Sequence, residues 1–407
     1  MASIVNTSTK FFTDTMTGAP ALNNGAGSLV ALLDAVLVTG FGIKSATSLV
    51  IAGGIATLAF AAPASAAAPE CVIAISGITG TYAALNGEQK VKTVSGTTVT
   101  FATNLADGTA AGTITFKIAP LGWEKVYAGT NKAVYRPLDP ACTRPYLRVL
   151  DTAAAPASAY HARVLMYESM TDVDTGTNQA PPTASAAGPG GYWWKTNYNT
   201  AAVQAWTIVG DGRAFYFCPC THFSGSGTTQ AAVHFFGDIK AYKSGDAYCA
   251  ALVTALGEVS SSPPYGPNYS SNSAGVYAGH VMRAPNGLGV ARVLGWFGLG
   301  GSSGGYSGGD NNALGSYPNP ANNGLLMSDI VVGQAPLSTF GPRGTFPGAI
   351  YVPQSGANNA QFPRGTLLDG TGAYAGSKLF AVSCGGTLST PGQDYPMFFD
   401  VTKDWRA

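Results

Sequence analysis

Short runs of alternating apolar and polar residues recur along this chain and predict β-strands. Between residues 44 and 119 the runs are SLVIA, IATLAFA, CVIAISG, EQKVKTVSGTTVTFAT and GTITFKIA. The first two are joined by Gly53-Gly54, a dipeptide that suits a tight hairpin because both central residues of such a turn need positive φ. Residues 44–119 are therefore predicted to form a small β-sandwich or barrel that opens with this hairpin.

The same hairpin stretch also resembles a secretory signal. Lys44 precedes an apolar run from Leu49 to Phe60, and small residues follow near Ala64. Its position well inside the chain disfavours that interpretation, and the apolar run is shorter than the roughly 20 residues that span a bilayer. We therefore expect no signal peptide, synthesis in the cytoplasm and no membrane insertion.

One stretch, GSLVALLDAVLVTGFG, has helical periodicity instead. Its apolar residues follow i, i+3, i+4, i+7 spacing: Leu29, Leu32, Leu33, Val36 and Leu37. Gly40 and Gly42 are expected to end the helix. Residues 1–43 are thus predicted to hold one helix, and a helix this apolar needs cover on most sides, so we expect the segment to be an assembly contact.

The rest of the chain returns to strand patterns. Residues 120–257 are rich in aromatic strands, and the clearest hairpin joins WTIV to RAFYF around Gly210-Asp211-Gly212. Residues 258–325 form a long Gly/Ser/Asn-rich segment, expected to be either mobile or extended against a neighbouring subunit. Residues 326–407 are predicted to complete the second β domain. The fold class is mainly β, with a short helical N-terminal region and long Gly-rich loops.

Charge is sparse in this sequence. Charged residues make up 11% of the 407 residues, with 22 basic against 21 acidic, whereas soluble domains usually contain about 25%. No basic run is suited to a series of phosphates, so nucleic acid is not an expected partner. A surface so poor in charge predicts burial against other copies, as a trimer or higher oligomer, or against neighbouring proteins.

Six cysteines are scattered at irregular spacing, at positions 71, 142, 218, 220, 249 and 384. A chain that folds in a reducing cytosol is expected to keep them as free, buried thiols. If the mature protein later enters an oxidising medium, Cys218 or Cys220 is predicted to pair with Cys249 or with a cysteine of a neighbouring subunit.

The motif CPCTH is the sharpest candidate for metal chemistry. On a strand Cys218, Cys220 and His222 would share a face and could supply three of the four ligands of zinc, with Cys249 or His234 as the fourth. The alternative is that the cysteines are small buried residues beside a turn at Pro219. Because zinc cysteine pairs usually have at least two residues between them, we favour the alternative and expect no metal or cofactor.

Catalytic patterns are weak. Glu168, Asp172 and Asp174 lie close together, as in a calcium loop or a hydrolytic pair, but they lack the ligand spacing of a calcium loop, and a solvated turn is favoured. The sequence contains no G-x-S-x-G elbow near a plausible histidine and no phosphate-binding loop. The chain is therefore predicted not to be an enzyme.

Three adjacent aromatic residues, Tyr192, Trp193 and Trp194, suggest a binding role. Their rings could stack on a sugar, as in a receptor-binding module. The favoured alternative is a core or interface plug, since large aromatic side chains dominate the burial energetics of cores and interfaces.

Several motifs resemble those of a group of uncharacterised structural proteins of tailed bacteriophages and their prophages. They are DTMTGAP (Asp14 to Pro20), LNGE (Leu85 to Glu88), GWEKVYAGTNKAVYRP, YLRVLD, YESMTDVDTGT, WTIVGDGRAFYF, FFGDIKAYKSGDAY and DVT..WR (Asp400 to Arg406). The resemblance covers most of the chain and its order of segments, whereas CPCTH has no counterpart in the group.

This resemblance implies a location in the virion, in the tail, the baseplate or an attached fibre. The implied partners are other copies of the chain and other virion structural proteins. The alternative function is a receptor- or glycan-binding fibre tip that meets a host surface glycan.

Overall fold

The computed structural model describes residues 3–152, 161–182, 191–196, 202–220, 231–256, 277–297, 315–334, 340–354, 356–357, 360–385 and 394–407. Within these ranges the chain is mainly β, which confirms the predicted fold class, and every strand pair in its ladders is antiparallel.

The N-terminal part contains the longest helical stretch described and a small barrel. Its elements are β1 (Lys10–Thr13), α1 (Ser28–Leu33) with a π-helical continuation (Asp34–Thr39), β2 (Phe41–Ala52), β3 (Ile55–Phe60), β4 (Val72–Thr79), a 3-10 turn (Gly80–Leu85), β5 (Gly87–Val94), β6 (Thr98–Ala102), β7 (Gly108–Thr109) and β8 (Ala111–Ile118).

Six of these strands close into a barrel in the order β2-β3-β6-β5-β4-β8, and β8 pairs back onto β2. The order is that of a Greek key, because β4, β5 and β6 form a meander and β3 lies beside β6. The predicted opening hairpin is confirmed: Ala52 faces Ile55, and Gly53 and Gly54 have φ of 57° and 77°.

The remaining strands build the larger body of the molecule. They are β9 (Trp123–Gly129), β10 (Lys132–Pro137), β11 (Tyr146–Leu150), β12 (His161–Tyr167), β13 (Ser169–Met170), β14 (Gly176–Thr177), β15 (Gly191–Trp194), β16 (Trp206–Gly210), β17 (Ala214–Pro219), β18 (His234–Asp238), β19 (Lys240–Ala241), β20 (Ala250–Leu256), β21 (Tyr277–Val281), β22 (Arg292–Phe297), β23 (Ser328–Gln334), β24 (Pro342–Tyr351), β25 (Leu367–Asp369), β26 (Lys378–Gly385) and β27 (Asp394–Asp400), with a 3-10 turn (Gly372–Tyr374) before β26.

These strands form three layers. The middle layer runs β1-β16-β17-β18-β20. From β20 the ladders continue in two directions, through β15, β12, β11, β10 and β9 to one outer layer. In the other direction they pass through β21, β22, β23, β24 and β27 to β26 and β25 in the second outer layer.

The middle layer is buried on both faces, and β17 shows why. On one face the ring of Phe215 lies edge-on to Trp123, 5.3 Å between centroids. On the other face Tyr216 packs against Phe399 at 4.8 Å and against Trp405 at 5.9 Å. All six residues of β17 are therefore buried, and the strand reads as a continuous apolar run instead of an alternating one.

The predicted helix is confirmed, but its cover comes from this chain itself. The five apolar residues named for it are all 0% exposed and belong to the continuous core. Its single charge, Asp34, accepts a hydrogen bond from the hydroxyl of Tyr135 (2.8 Å) and pairs with Lys125 (2.7 Å). The apolar face of the helix is therefore covered without a partner, and the assembly contact expected for residues 1–43 stays a prediction.

The Gly/Ser/Asn-rich segment assigned to residues 258–325 contains regular structure. Strands β21 and β22 lie inside it and pair with β20, β23 and each other. Residues 257–276 and 298–314, where the prediction of a mobile or extended segment also falls, lie outside the described residues. The hairpin predicted around Gly210-Asp211-Gly212 is confirmed, with Gly210 opposite Phe215.

The barrel and the layered body share one hydrophobic core. A buried lysine of β1, Lys10, bridges them by donating to Glu88 of the barrel and to the carbonyl oxygen of Pro120, both at 2.6 Å. Lys90 of the barrel donates to the carbonyl oxygen of Val401 near the C-terminus. The barrel is thus fastened to the body by ionic contacts as well as by apolar packing.

Candidate functional site

The described residues do not assemble the zinc site suggested by CPCTH. Cys218 and Cys220 are buried in β17 and just after it, whereas His222 lies outside the described residues. His234 accepts a hydrogen bond from the backbone N–H of Trp194 (3.1 Å). Among the described residues no cluster of three or more His, Cys, Asp or Glu could hold a metal ion.

The cysteines are free and buried, as predicted. Burial raises the pKa of Cys218 well above its ordinary value, and Cys384 and Cys220 raise it further. Cys384 lies on β26, where its backbone forms an isolated parallel β-bridge with Ala231. The sequence did not indicate that Cys384 would be a neighbour of Cys218. Cys249 was the cysteine expected to pair with Cys218 or Cys220. Burial raises the pKa of its thiol to about 12, and the charges of Asp238 and Asp246 contribute to the rise.

The three adjacent aromatic residues belong to the core. Tyr192, Trp193 and Trp194 are 3%, 0% and 4% exposed. The indole N–H of Trp193 donates to the carbonyl oxygen of Val253 (2.9 Å), and its ring packs edge-on against Phe215 at 5.8 Å. The hypothesis that these rings stack on a sugar is therefore wrong, and the favoured prediction of a core position is confirmed.

The acidic cluster is a hydrogen-bonded turn at the surface, as favoured from the sequence. Asp172 accepts a hydrogen bond from the backbone N–H of Asp174 (2.7 Å). Asp174 pairs with Arg148 (2.5 Å), and Glu168 accepts from Arg283 (2.7 Å). Each carboxylate is thus committed to the turn or to a basic partner.

Five acidic residues of the motifs named in the sequence analysis form internal ion pairs. The pairs join parts of the chain that are distant in sequence: Asp14–Arg364 (2.5 Å), Glu88–Lys10 (2.6 Å), Asp151–Lys195 (2.5 Å), Asp211–Arg406 (3.0 Å) and Asp246–Arg343 (2.8 Å). Their common effect is to fasten the N-terminal segment, the barrel and both ends of the body to one another.

The pair between Asp151 and Lys195 is the most enclosed, since neither side chain is exposed. Asp151 also accepts a hydrogen bond from the backbone N–H of Leu29 (2.8 Å), in the first turn of α1. Lys195 donates in addition to the carbonyl oxygen of Gly25 (2.9 Å). Burial raises the pKa of Asp151 although Lys195 opposes the shift.

The closing motif folds back onto the body. Asp400 accepts hydrogen bonds from the backbone N–H of Thr402 (2.9 Å) and from the hydroxyl of Ser377 (2.7 Å). The indole N–H of Trp405 donates to the carbonyl oxygen of Asp400 (2.7 Å). Arg406 then reaches Asp211 in the loop between β16 and β17, so the motif closes the structure.

An open groove of about 560 Å³ lies on the second outer layer, between the loop of residues 315–327 and the turn of residues 369–374. We call it the Tyr317 groove. Its apolar lining is formed by Tyr317, Leu325, Leu326, Met327, Phe362, Leu368, Tyr374 and Leu379, and its polar and backbone lining by Asn322, Gly324, Asp369, Gly370, Thr371, Gly372 and Ala373.

A buried glutamine organises the first wall of this groove. Gln354 accepts a hydrogen bond from the backbone N–H of Leu326 (2.6 Å) and donates to the carbonyl oxygens of Ser316 (3.1 Å) and Gly324 (3.3 Å). These bonds hold the loop that carries Tyr317, whose ring packs 5.6 Å from that of Phe362.

The second wall carries Tyr374 at the end of a 3-10 turn. Its hydroxyl donates to Asp329 (3.2 Å), and burial, followed by the charge of Asp329, raises the pKa of Tyr374. Asp369 stands at the rim with its side chain 81% exposed and pairs with Lys378 (2.5 Å). In the sequence the groove is marked by two tyrosines in Gly-rich stretches, GSYPNP and GTGAYAGS, which have no strand or helix pattern.

No protein-family model matches the chain, and no curated protein matches it. None of the helices in the described ranges is both long enough and apolar enough to cross a bilayer.

Proposed function

We propose that this chain is a non-enzymatic structural component of a bacteriophage virion, in the tail, the baseplate or an attached fibre. The observation that carries the proposal is the structural role of the motifs that resemble those of phage proteins. Five of their acidic residues form ion pairs between distant segments, which suits a part whose task is to keep its shape.

The electrostatic setting of these pairs supports the same function. Arg343 and Asp246 are 5% and 0% exposed, and a buried pair of this kind stabilises one arrangement because separating the charges in the interior is strongly unfavourable. The residues that distinguish the motifs therefore maintain architecture, and a mechanical component depends on architecture more than on a reactive group.

The chain acts as a homo-oligomer that docks to other virion proteins. Besides the low charge, four large apolar side chains are exposed on neighbouring loops: Tyr242 (59%), Leu288 (67%), Val290 (62%) and Phe340 (54%). We call them the apolar end. The loops are joined by hydrogen bonds from Tyr242 to Arg343 (2.9 Å) and from Lys243 to Pro285 (3.4 Å). Exposed apolar residues on loops that are linked in this way are a candidate interaction surface.

The direct test is to locate the protein in particles. Antibodies raised against the purified full-length chain and coupled to gold should label one place on tailed particles released by a lysogen that carries this sequence, while pre-immune antibodies should not. Mass spectrometry of the purified particles should detect the chain. Its absence from particles, with the protein recovered only in the soluble lysate, would overturn the proposal.

A further inference from the structure

The Tyr317 groove has the size and shape of a small-ligand site. Ligand pockets typically enclose about 300 to 1,000 Å³ and combine an apolar lining with a few polar groups, and this groove measures about 560 Å³ with that composition. Of the ion pairs described above, only Asp369–Lys378 involves a residue of its lining. Its chemistry therefore identifies what it would bind.

Aromatic rings form both walls. Tyr317 and Tyr374 are half-buried, so each ring is held by the protein and still presents part of its surface to the groove. The C–H groups on one face of a pyranose ring carry partial positive charge and pack well against the electron-rich face of a tyrosine. Two such tyrosines in one lining suit a hydroxylated ring with an apolar face more than an extended aliphatic chain.

The rim supplies hydrogen-bonding groups for hydroxyls. Asn322, Asp369 and Thr371 line the groove, and all three are exposed. Among the described residues of the lining, Asp369 alone is charged, and its charge is balanced by Lys378 (2.5 Å), which does not line the groove. Because the described lining contains no basic residue to balance a second anion, a neutral saccharide is favoured over a sialylated or uronic one.

The walls are ordered before any ligand arrives. Gln354, which is 4% exposed, ties down the loop that carries Tyr317, and the hydroxyl of Tyr374 is fixed by Asp329. Binding to a pre-organised site avoids the entropy loss of ordering side chains and loops. We propose that the Tyr317 groove is a binding site for a neutral saccharide, with Tyr317 and Tyr374 as the stacking residues and Asp369 as an acceptor for sugar hydroxyls.

The first experiment uses the purified full-length chain on an array of neutral and sialylated oligosaccharides, followed by saturation-transfer NMR with the best neutral glycan. We expect binding to neutral glycans, with transfer strongest to the protons on one face of the sugar ring. Absence of binding to any neutral glycan, or a preference for sialylated ones, would overturn the proposal.

Substitutions then assign the site. Tyr317→Ala and Tyr374→Ala should each weaken affinity by about tenfold, in line with the worth of an aromatic contact. Tyr374→Phe keeps the ring and should stay within about threefold of the parent, while Tyr242→Ala, on the separate apolar end, serves as the matched control. Thermal unfolding of each variant checks that the fold persists.

If both alanine variants bind the glycan as the parent does, the saccharide occupies another surface and this assignment is wrong. Displacement of the glycan by tyrosine-rich peptides with higher affinity would likewise show that the groove is a peptide site. The result is independent of the virion role, because the assay uses isolated protein and the particle-labelling experiment does not involve sugar.

Discussion

At the scale of single residues, the structure encloses charges that the sequence presents as ordinary polar positions. Lys195 and Asp151 are both fully buried, and each also bonds to the backbone near the start of α1. A buried pair of this kind adds little net stability over apolar replacements, but loss of one partner leaves a desolvated charge.

We therefore expect Lys195→Met to lower the free energy of unfolding by about 3 to 5 kcal/mol. The loss should shrink at acid pH, because protonation of Asp151 removes the uncompensated charge. Lys378→Met, whose partner Asp369 is 81% exposed, should leave the free energy of unfolding nearly unchanged, because exposed ion pairs contribute little. Urea unfolding of the parent and both variants measures the difference, and equal effects at the two sites would contradict this account.

Buried histidines make the stability of the fold depend on pH, because burial disfavours their charged form. Burial lowers the pKa of His234 to about 3 and that of His280 to about 4, whereas an unfolded chain has histidines near 6.5. Between those limits the unfolded state binds more protons than the folded state, so stability must fall as pH falls.

The prediction is that His234→Gln weakens this dependence. Between pH 6 and pH 4 the variant should gain relative to the parent by up to about 1.4 kcal/mol per pH unit, since glutamine does not titrate. Denaturant unfolding at several pH values gives the comparison. The carboxylates titrate equally in both proteins, so their contribution cancels in the difference between parent and variant. Parallel profiles of unfolding free energy against pH would show that His234 is protonated in the folded state.

At the scale of elements, the sequence predicts what local rules control. The Gly53-Gly54 hairpin follows from turn chemistry, and the helix from the spacing of Leu29, Leu32 and their apolar companions. The face assignment in β17 does not follow, because a strand buried on both sides has no alternation to read. Cys384 lies near Cys218 only because β26 packs there. The spacing of the two cysteines along the chain does not indicate this proximity.

Gly40 tests the local rule at the end of the helix. It has φ of 71°, and a Cβ there would lie 2.2 Å from the carbonyl oxygen of Ile118, so Gly40→Ala should cost about 3 kcal/mol through backbone strain and overpacking. Gly53 also has positive φ, 57°, but has no atom within 4 Å of that position. Gly53→Ala is the matched control and should cost about 1 kcal/mol. Similar melting temperatures for the two variants would contradict a steric role for Ile118.

At the scale of the whole molecule, function depends on what distant segments build together. The Tyr317 groove draws its walls from residues 315–327 and 369–374, and only the pairing of β24, β26 and β27 makes them neighbours. No spacing rule could have joined Tyr317 to Tyr374. For Tyr192 and its neighbours the sequence favoured a core or interface position over sugar stacking, and the structure buries all three in the core.

The apolar end carries the last prediction. If its exposed side chains seat a second copy, light scattering of the parent should show a trimer or larger species, or association that grows with concentration. Leu288→Asp combined with Val290→Asp places charge on the two most exposed residues of the apolar end. Because desolvation of these charges is unfavourable, the double variant should shift the distribution toward monomer. Ile43→Asp, at a barrel residue that is 71% exposed, should leave association unchanged. A parent that stays monomeric at high concentration, or a double variant that associates as the parent does, would rule out the apolar end as a self-association surface.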